Sequence, residues 1–319
     1  MRILFMGTPD FAVPALKALL DAGHEIRGVV TQPDRPKGRG QKLAPSPVKT
    51  AAEEAGLQVF QPEKIKTPEF VKTLKDLSPQ LIVVVAFGQL LSGEILRIPQ
   101  YGCVNVHASL LPKYRGAAPI HWAVINGEHE TGVAIMQMDE GLDSGDVILS
   151  EKIPVAPEDN TGTVHDKLAL LGAQLLVKAV ELISSERAER IPQRHDLASY
   201  APLLTNEVEK IDWTRSSMEI FNLVRGLNPW PGAYTLLGDR VLKVWSVHPC
   251  TIDRVPGPIP ELTGFAPGEI LGHIPEVGFA VSTGNGCLAV SEVQLQGSRK
   301  MRADDFVRGH SLKKGSRLG

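Results

Sequence analysis

A run of seven apolar residues, LIVVVAF at positions 81–87, constrains the fold of this chain more than any other feature. Branched side chains dominate the run and no polar side chain interrupts it, so a strand formed here must be buried on both faces. Central strands of parallel sheets are buried in this way because helices cover both sides of the sheet. The run therefore predicts an α/β fold with a parallel sheet at its centre.

The segments on either side of this run alternate between strand-like and helix-like patterns. Thr67 and Pro68 begin one helical pattern, with Thr67 as the N-cap and Pro68 in the first position, and Gly23 ends an earlier one. RILFMG near the start of the chain and GVAIMQ after residue 131 are strand-like. This order predicts a doubly wound, mostly parallel sheet with its site at the carboxyl ends of the strands.

The pattern changes after about residue 190. Residues 190–206 are polar, with scattered prolines and no clear period, so we expect a linker there. One helical segment follows, and then short apolar runs broken by glycine and proline, which are typical of a small β-barrel. We therefore predict an α/β domain over 1–189, a linker over 190–206 and a β-barrel domain over 207–319.

Composition narrows the function classes. No run in the 319 residues reaches the roughly 18 apolar residues of a membrane helix, and MRILFMGTPDF reads as a buried strand rather than a signal peptide. The three cysteines are far apart without a CxxC spacing, and the nine histidines form no HExxH motif, so we expect a cytoplasmic protein without a metal. A net charge of −2 implies that any polyanion binds to local patches.

Two polar side chains share one face of the strand-like run CVNVHAS. Val104 and Val106 are typical core residues, and alternation along a strand places Asn105 and His107 together on the opposite face. A further candidate, Asp143, lies in the acidic loop MDEGLDSGD after a later strand-like run. Because strand ends converge in this fold, we expect the amide, the imidazole and the carboxylate to meet.

These three groups suit acyl transfer through a tetrahedral intermediate. Asn105 can donate to a developing oxyanion, and His107 can donate to the same oxygen or move a proton while Asp143 orients it. Ser109 is not in a Gly-x-Ser-x-Gly elbow, so a substrate amine with a pKa of roughly 8 is the simpler nucleophile. Each residue also has a plainer interpretation, as a backbone partner at a strand end, a satisfied core histidine and a solvated loop acid.

Two segments are basic although the whole chain is slightly acidic. Gln32–Lys49 holds five basic side chains and one acid, and the chain from Arg299 onward holds seven basic side chains and two acids. Glycines flank Arg39 in the first segment, which suits a loop that becomes ordered on a phosphate backbone. Together the segments predict one elongated anionic partner, and a solvated loop of mixed use is the plainer interpretation of the first.

Seven motifs stand in an order that is characteristic of one enzyme family: GTPDF, TQPDRPKGRG, PSPVK, NVHASLLPKYRGAAPI, GVAIMQMDEGLDSGD, KIDW and NPWPGAY. Through them the whole chain resembles the methionyl-tRNA formyltransferases of the 10-formyltetrahydrofolate-dependent formyltransferase family. The resemblance implies a Rossmann-like formyltransferase domain followed by an OB-like β-barrel that binds tRNA. It also implies formyl transfer from 10-formyltetrahydrofolate to the α-amine of methionine on the initiator tRNA.

The resemblance also assigns roles to individual residues. The catalytic residues that it implies are Asn105, His107 and Asp143. The residues along the folate site are Ser109, Leu110, Leu111 and Pro112, to which we add Phe87 and Glu140. The residues expected to contact tRNA are Arg39, which matches a loop arginine used near the acceptor end, and Lys37, Lys42, Arg299 and Lys300. We expect a monomer that uses no metal and does not bind a membrane.

Three other functions stay open at this point. A formyltransferase acting on a small amine, such as a sugar nucleotide or a purine precursor, would need neither the basic loop nor the barrel. A non-catalytic tRNA- or folate-binding protein would not need the three polar groups. A nicotinamide-dependent dehydrogenase has the least support, because Gly7-Thr8-Pro9 lacks the second and third glycines of the dinucleotide motif.

Overall fold

The computed structural model describes residues 1–37, 42–250, 265–310 and 312–319 of the chain. Within these ranges, no helix is long and apolar enough to cross a membrane, and no three His, Cys, Asp or Glu side chains gather where they could hold a metal ion. The described residues form two compact units. Unit 1 comprises Met1–Pro119, Glu130–Pro154 and His165–Ala201, and unit 2 comprises Ile120–His129, Val155–Val164 and Pro202–Gly319.

Strands and helices alternate through the first two hundred residues, as the sequence pattern predicts. The strands are β1 (Arg2–Gly7), β2 (Glu25–Val30), β3 (Arg35–Lys37), β4 (Lys42–Ala44), β5 (Val59–Phe60), β6 (Leu81–Val85), β7 (Cys103–His107), β8 (Arg115–Gly116), β9 (Glu130–Gln137), β10 (Val147–Pro154) and β11 (Tyr200–Ala201). The helices are α1 (Val13–Asp21), α2 (Pro47–Glu54), α3 (Pro68–Asp76), α4 (Gly93–Leu96), α5 (Pro119–Ile125) and α6 (Thr161–Ser184), with 3₁₀ turns over Asp10–Ala12 and His195–Leu197. The predicted N-cap of α3 is confirmed, because the Thr67 side chain accepts from the Phe70 N–H.

Seven of these strands form the main sheet of unit 1, in the order β10-β9-β7-β6-β1-β2-β5. The strands from β7 to β5 are parallel, whereas β9 pairs antiparallel with both β7 and β10. β6 is buried along its whole length. Leu74 of α3 packs with Ile82 on one face of the sheet, and Gly172 of α6 lies against Val106 on the other. The predicted Rossmann-like, mostly parallel sheet is confirmed.

Unit 2 is dominated by an antiparallel sheet. Its elements after residue 202 are α7 (Asn206–Glu209), α8 (Ser217–Gly226), β12 (Ala233–Leu237), β13 (Arg240–Cys250), β14 (Ile270–Ile274), β15 (Gly278–Ser282), β16 (Cys287–Leu295), β17 (Met301–Arg302) and α9 (Ala303–Gly309). The sheet order is β12-β13-β16-β15-β14, with β17 paired to β16. Ile220 of α8 and Phe279 of β15 meet in its core. The small OB-like β domain that the sequence predicts is confirmed here.

Part of the segment expected to be a linker, residues 190–206, is bonded into unit 1. Ile191 forms an antiparallel bridge with Val147, and β11 pairs in parallel with β8. These bonds join the segment to backbone far away in sequence, which a local pattern does not show. The boundaries at 189, 206 and 207 stay a prediction.

Candidate active site

β7 places the two polar candidates on the face that alternation predicts. Val104 and Val106 are buried on the face toward α6, and Asn105 and His107 lie on the opposite face. Asn105 Nδ2 is 3.5 Å from Asp143 Oδ1, and His107 Nδ1 is 3.7 Å from Asp143 Oδ2. The structure therefore brings an amide, an imidazole and a carboxylate from two distant segments together.

Asp143 reaches this face by a route that the sequence does not reveal. The expected convergence of strand ends does not apply to it, because β9 is antiparallel to β7 and its last residue, Gln137, pairs with Val104 near the start of β7. The loop over residues 138–146 must turn back along β7 to bring Asp143 to Asn105. Asp143 lies in the left-handed region, with φ of 48°, which Asp tolerates better than most residues.

A backbone N–H fixes the Asp143 carboxylate. The N–H of Gly116 donates to Oδ2 over 2.8 Å. Gly116 has φ of 115°, and a Cβ at this position would lie 2.9 Å from the carbonyl oxygen of Ala201. The glycine of the KYRG turn is therefore needed both for its backbone conformation and for its close approach to β11.

The His107 ring lies between two oxygen acceptors. Its Nε2 is 3.0 Å from the carbonyl oxygen of Tyr114, and its Nδ1 faces Asp143. The residue is only 5 % exposed. A carbonyl oxygen can only accept, so Nε2 carries a proton, and an imidazolium would donate from both nitrogens. This arrangement leaves Nδ1 as the ring nitrogen that faces the candidate site.

Two buried polar residues near Asp143 are not among the candidates that the sequence pattern indicates. Arg115 is 4 % exposed and Gln193 is 8 % exposed. Gln193 Nε2 donates to the carbonyl oxygen of Asp143 over 2.9 Å. Arg115 could have been noticed, because it directly precedes Gly116 in a motif of the family resemblance. Gln193 gives no such signal, since it lies in a polar stretch without a period.

The residues predicted to line the folate site differ in accessibility. Ser109 is fully buried, and its hydroxyl donates over 2.6 Å to the backbone carbonyl four residues later. Residues 110–112 are half-buried. Phe87 is 1 % exposed and belongs to the core between the main sheet and α3. Glu140 is exposed, and its carboxylate lies 3.5 Å from Arg97 Nη1.

The carbonyl oxygen of Phe87 ties together the carboxyl ends of three strands. Thr8 Oγ1 donates to it over 3.0 Å and Gln32 Nε2 over 3.2 Å. A Cβ on Gly7 would lie 2.8 Å from the Phe5 ring and 2.9 Å from Ala12 Cβ. Close packing of Gly7 against the Phe5 ring and against Ala12 in the 3₁₀ turn accounts for this glycine without a bound phosphate.

The basic loop can be described only at its ends. Lys37 and Lys42 are partners in the register of the antiparallel β3–β4 pair, and Arg39 lies outside the described residues. Asp34, the only acid of this segment, accepts from Lys49 Nζ over 2.7 Å. That hydrogen bond holds the pKa of the Asp34 carboxyl below its usual range. The positive charge of Lys49 is therefore compensated within unit 1.

The C-terminal basic residues are also partly compensated. Lys300 Nζ lies 2.6 Å from Glu292, and Arg308 Nη2 lies 3.0 Å from Asp305. Arg299 is exposed and forms no ion pair within the described ranges. Among these three, Arg299 is thus the cation most available to an anionic partner.

Two family profiles and many relatives match this chain. Residues 1–180 match the family described as formyl transferase, and residues 203–311 match the formyl transferase C-terminal domain. A methionyl-tRNA formyltransferase of Pelotomaculum thermopropionicum is 54 % identical over all of this chain and 99 % of its own length. One from Desulforamulus reducens is 51 % identical over all of this chain and 98 % of its own length.

Solved structures share the fold at low identity. The sugar 3N-formyl transferase WlaRD, solved in the presence of dTDP and 5-N-formyl-THF, aligns with a TM-score of 0.66 at 19 % identity, over 94 % of this chain and 99 % of its own. HypX from Aquifex aeolicus, in complex with tetrahydrofolic acid, aligns with a TM-score of 0.64 at 17 % identity, over 96 % of this chain and 47 % of its own.

Proposed function

Because the chain belongs to the formyl transferase family, among the methionyl-tRNA formyltransferases, we propose that it moves a formyl group from 10-formyltetrahydrofolate to the α-amine of methionyl-initiator tRNA. This reaction would prepare the tRNA for translation initiation. We propose that the protein acts in the cytoplasm and as a monomer. The observation that carries the proposal is the convergence of Asn105, His107 and Asp143 on one face of β7.

In this mechanism the methionyl amine attacks the formyl carbon, and the formyl oxygen becomes an oxyanion. Asn105 Nδ2 and protonated His107 Nδ1 donate to that oxygen. The backbone carbonyl of Tyr114 accepts a hydrogen bond from His107 Nε2, so the imidazole ring is already oriented before substrate binds. The 3.7 Å between Nδ1 and Asp143 Oδ2 is longer than a hydrogen bond, which leaves the Nδ1 proton available to the substrate.

Collapse of the intermediate breaks the bond between the formyl carbon and N10 of the folate. The attacking amine has by then lost one proton, and N10 must gain one. Asp143 is the group that would carry this proton, through a bridging water. Its Oδ2 is held by Gly116, while Oδ1 faces the amide of Asn105. The enzyme supplies polarisation and proton transfer, and the substrate supplies the nucleophile.

We propose the folate site along residues 109–112. Structures of the same fold solved with tetrahydrofolic acid or 5-N-formyl-THF support a folate donor. The hydroxyl of Ser109 would hold this turn in shape, because it already bonds within it, and the half-buried residues 110–112 would contact the ligand. Phe87 would support the site from the core, and Glu140 would border it from the loop after β9.

We propose that the tRNA is bound by both basic segments. The residues assigned to this role are Arg39, Lys37, Lys42, Arg299 and Lys300. The antiparallel register of β3 with β4 supports the first group, because it brings Lys37 opposite Lys42 at the base of the basic loop. The exposure of Arg299 supports the second. Such phosphate contacts would give affinity that falls steeply with salt.

The deciding experiment supplies the protein with 10-formyltetrahydrofolate and aminoacylated initiator tRNA and measures formylmethionine after hydrolysis of the tRNA ester. Parallel reactions offer free methionine and an amino-sugar nucleotide. We expect rapid formylation of the tRNA-bound methionine and negligible formylation of the small amines. Transfer only to a small amine would replace this function with the small-amine alternative, and binding of tRNA without any transfer would replace it with a non-catalytic role.

A further inference from the structure

Both the nitrogen and the oxygen of the Gln193 side-chain amide form hydrogen bonds inside unit 1. Nε2 donates to the carbonyl oxygen of Asp143 over 2.9 Å and to that of Gly145 over 2.7 Å. Both hydrogens of the amide nitrogen are thereby used. The loop that carries the proposed catalytic carboxylate is therefore held at two backbone positions on either side of residue 144.

Arg115 fixes the orientation of this amide. Its Nη2 donates to Gln193 Oε1 over 2.7 Å, and its Nε donates to the same oxygen over 3.2 Å. A guanidinium can only donate, so the amide oxygen must face Arg115 and the amide nitrogen must face the two carbonyls. Both side chains are buried, which excludes water as a competing partner.

The main chain around Gln193 is itself anchored at two places. On one side, Ile191 and Val147 exchange two backbone hydrogen bonds of 2.9 Å. On the other side, β11 pairs with β8, and the Arg115 N–H donates to the Ser199 carbonyl over 2.8 Å. We call residues 191–201 the strap. The strap joins β10, which follows the Asp143 loop, to β8, which contains Gly116.

We propose that Gln193 is a positioning residue for formyl transfer, which holds Asp143 in place through its backbone. The proposal rests on the function proposed above for the same site. Asp143 is in a left-handed conformation and its side chain is bonded to Gly116, so the carboxylate depends on correct placement of both the loop and the turn. Gln193 connects the Asp143 loop with β8, because its amide nitrogen donates to the loop and its amide oxygen accepts from Arg115 of β8.

The first test replaces Gln193 with methionine, which keeps most of the side-chain volume and removes the amide. We expect kcat to fall by about 10- to 100-fold, with the KM values for tRNA and folate almost unchanged, because the Gln193 amide is fully bonded to other residues of the protein. Gln193→Ala should lose the same activity and more thermal stability. The matched control is Gln137→Met, because Gln137 Nε2 also donates to a backbone carbonyl, that of Cys103, over 3.0 Å. Equal kcat values for Gln193→Met and the wild type would overturn the proposal.

A double-mutant cycle separates positioning from a general structural role. If Gln193 acts through Asp143, Gln193→Met should cause no further loss of kcat in an Asp143→Asn background. A full additional loss in that background would show that Gln193 acts by another route, and the proposal would be abandoned.

A measurement without substrate distinguishes failure of this inference from failure of the proposed function. Hydrogen exchange at the Gly116 N–H reports on its bond to Asp143. We expect faster exchange in Gln193→Met and unchanged exchange in Gln137→Met. A wild-type enzyme that forms no formylmethionine contradicts the proposed function, while unchanged Gly116 exchange in Gln193→Met contradicts the positioning role whatever the activity.

Discussion

The carboxylate of Asp143 faces three nitrogen atoms at once. Gly116 N–H lies 2.8 Å away, Asn105 Nδ2 lies 3.5 Å away and His107 Nδ1 lies 3.7 Å away. An ionised carboxylate accepts only, so it suits the N–H of Gly116 and the amide of Asn105, and it suits His107 when the ring is an imidazolium. Only the shortest contact is a firm hydrogen bond, so in the proposed mechanism Asn105 and an imidazolium at His107 can donate to a substrate oxygen without breaking a strong interaction.

The charge of Asp143 can be tested with little change in shape. Asparagine tolerates the left-handed backbone, so Asp143→Asn removes the charge and should leave the loop in place. We expect kcat to fall by about 10²- to 10⁴-fold, with little change in the KM for tRNA. Asp139→Asn is the matched control, because Asp139 is an exposed acid of the same loop and accepts a hydrogen bond from Ser144. Similar kcat losses in both variants, or a parallel loss of tRNA binding, would contradict the catalytic assignment.

His24 should make unit 1 sensitive to acid. Burial, reinforced by the positive N-terminal amine, holds the pKa of His24 below its ordinary value of 6.5, and Glu181 acts in the opposite direction. Below pH 6.5 the unfolded chain therefore binds this proton more readily than the folded one, so the contribution of His24 to stability is lost as pH falls through its folded-state pKa. We expect the free energy of unfolding to drop less between pH 7 and pH 5 in His24→Gln than in the wild type. The exposed His248→Gln serves as control, and identical slopes for the wild type and His24→Gln would refute the prediction.

At the scale of elements, local pattern predicts what local interactions decide. The buried strand β6, the start of α3 after Thr67 and the alternation of Asn105 with its valine neighbours are all legible in the sequence. The direction of β9 is not, because strand pairing is decided by partners far along the chain. The role of Gln193 cannot be predicted for the same reason, since all its side-chain hydrogen bonds are to residues at least 48 positions away in the sequence.

The pairing of β8 with β11 gives Gly116 its importance. An alanine there would be strained at φ of 115° and would press against the Ala201 carbonyl. Gly23→Ala is the matched control, because Gly23 has φ of 76° but open space around its Cβ. We expect Gly116→Ala to lower the free energy of unfolding by about 1–3 kcal/mol more than Gly23→Ala, and to lower kcat as well because the Asp143 bond is disturbed. Denaturant unfolding and steady-state kinetics measure both effects. Wild-type kcat in Gly116→Ala would contradict the role of this N–H.

For the whole molecule, the local distribution of charge matters more than the net charge. A net charge of −2 cannot attract a polyanion, so the basic segments must do so themselves. Internal ion pairs reduce their effective charge, as Lys49 with Asp34 and Arg308 with Asp305 show. Counting basic residues in the sequence therefore overstates the surface that is free to bind phosphate. The exposed cations are the ones to test.

The tRNA should contact both basic segments, and the dependence of affinity on salt can test this directly. Each lost phosphate contact lowers the slope of log Kd against log salt by about one. We expect Arg39→Ala and Arg299→Ala each to weaken tRNA binding and lower that slope by about one, and the double variant to lower it by about two, because contacts that act independently on one ligand add. Arg308→Ala removes the same charge from a residue already paired with Asp305, so its slope should match the wild type. If Arg308→Ala and Arg299→Ala change the slope equally, net charge and not local contact governs binding, and the assignment of Arg299 fails.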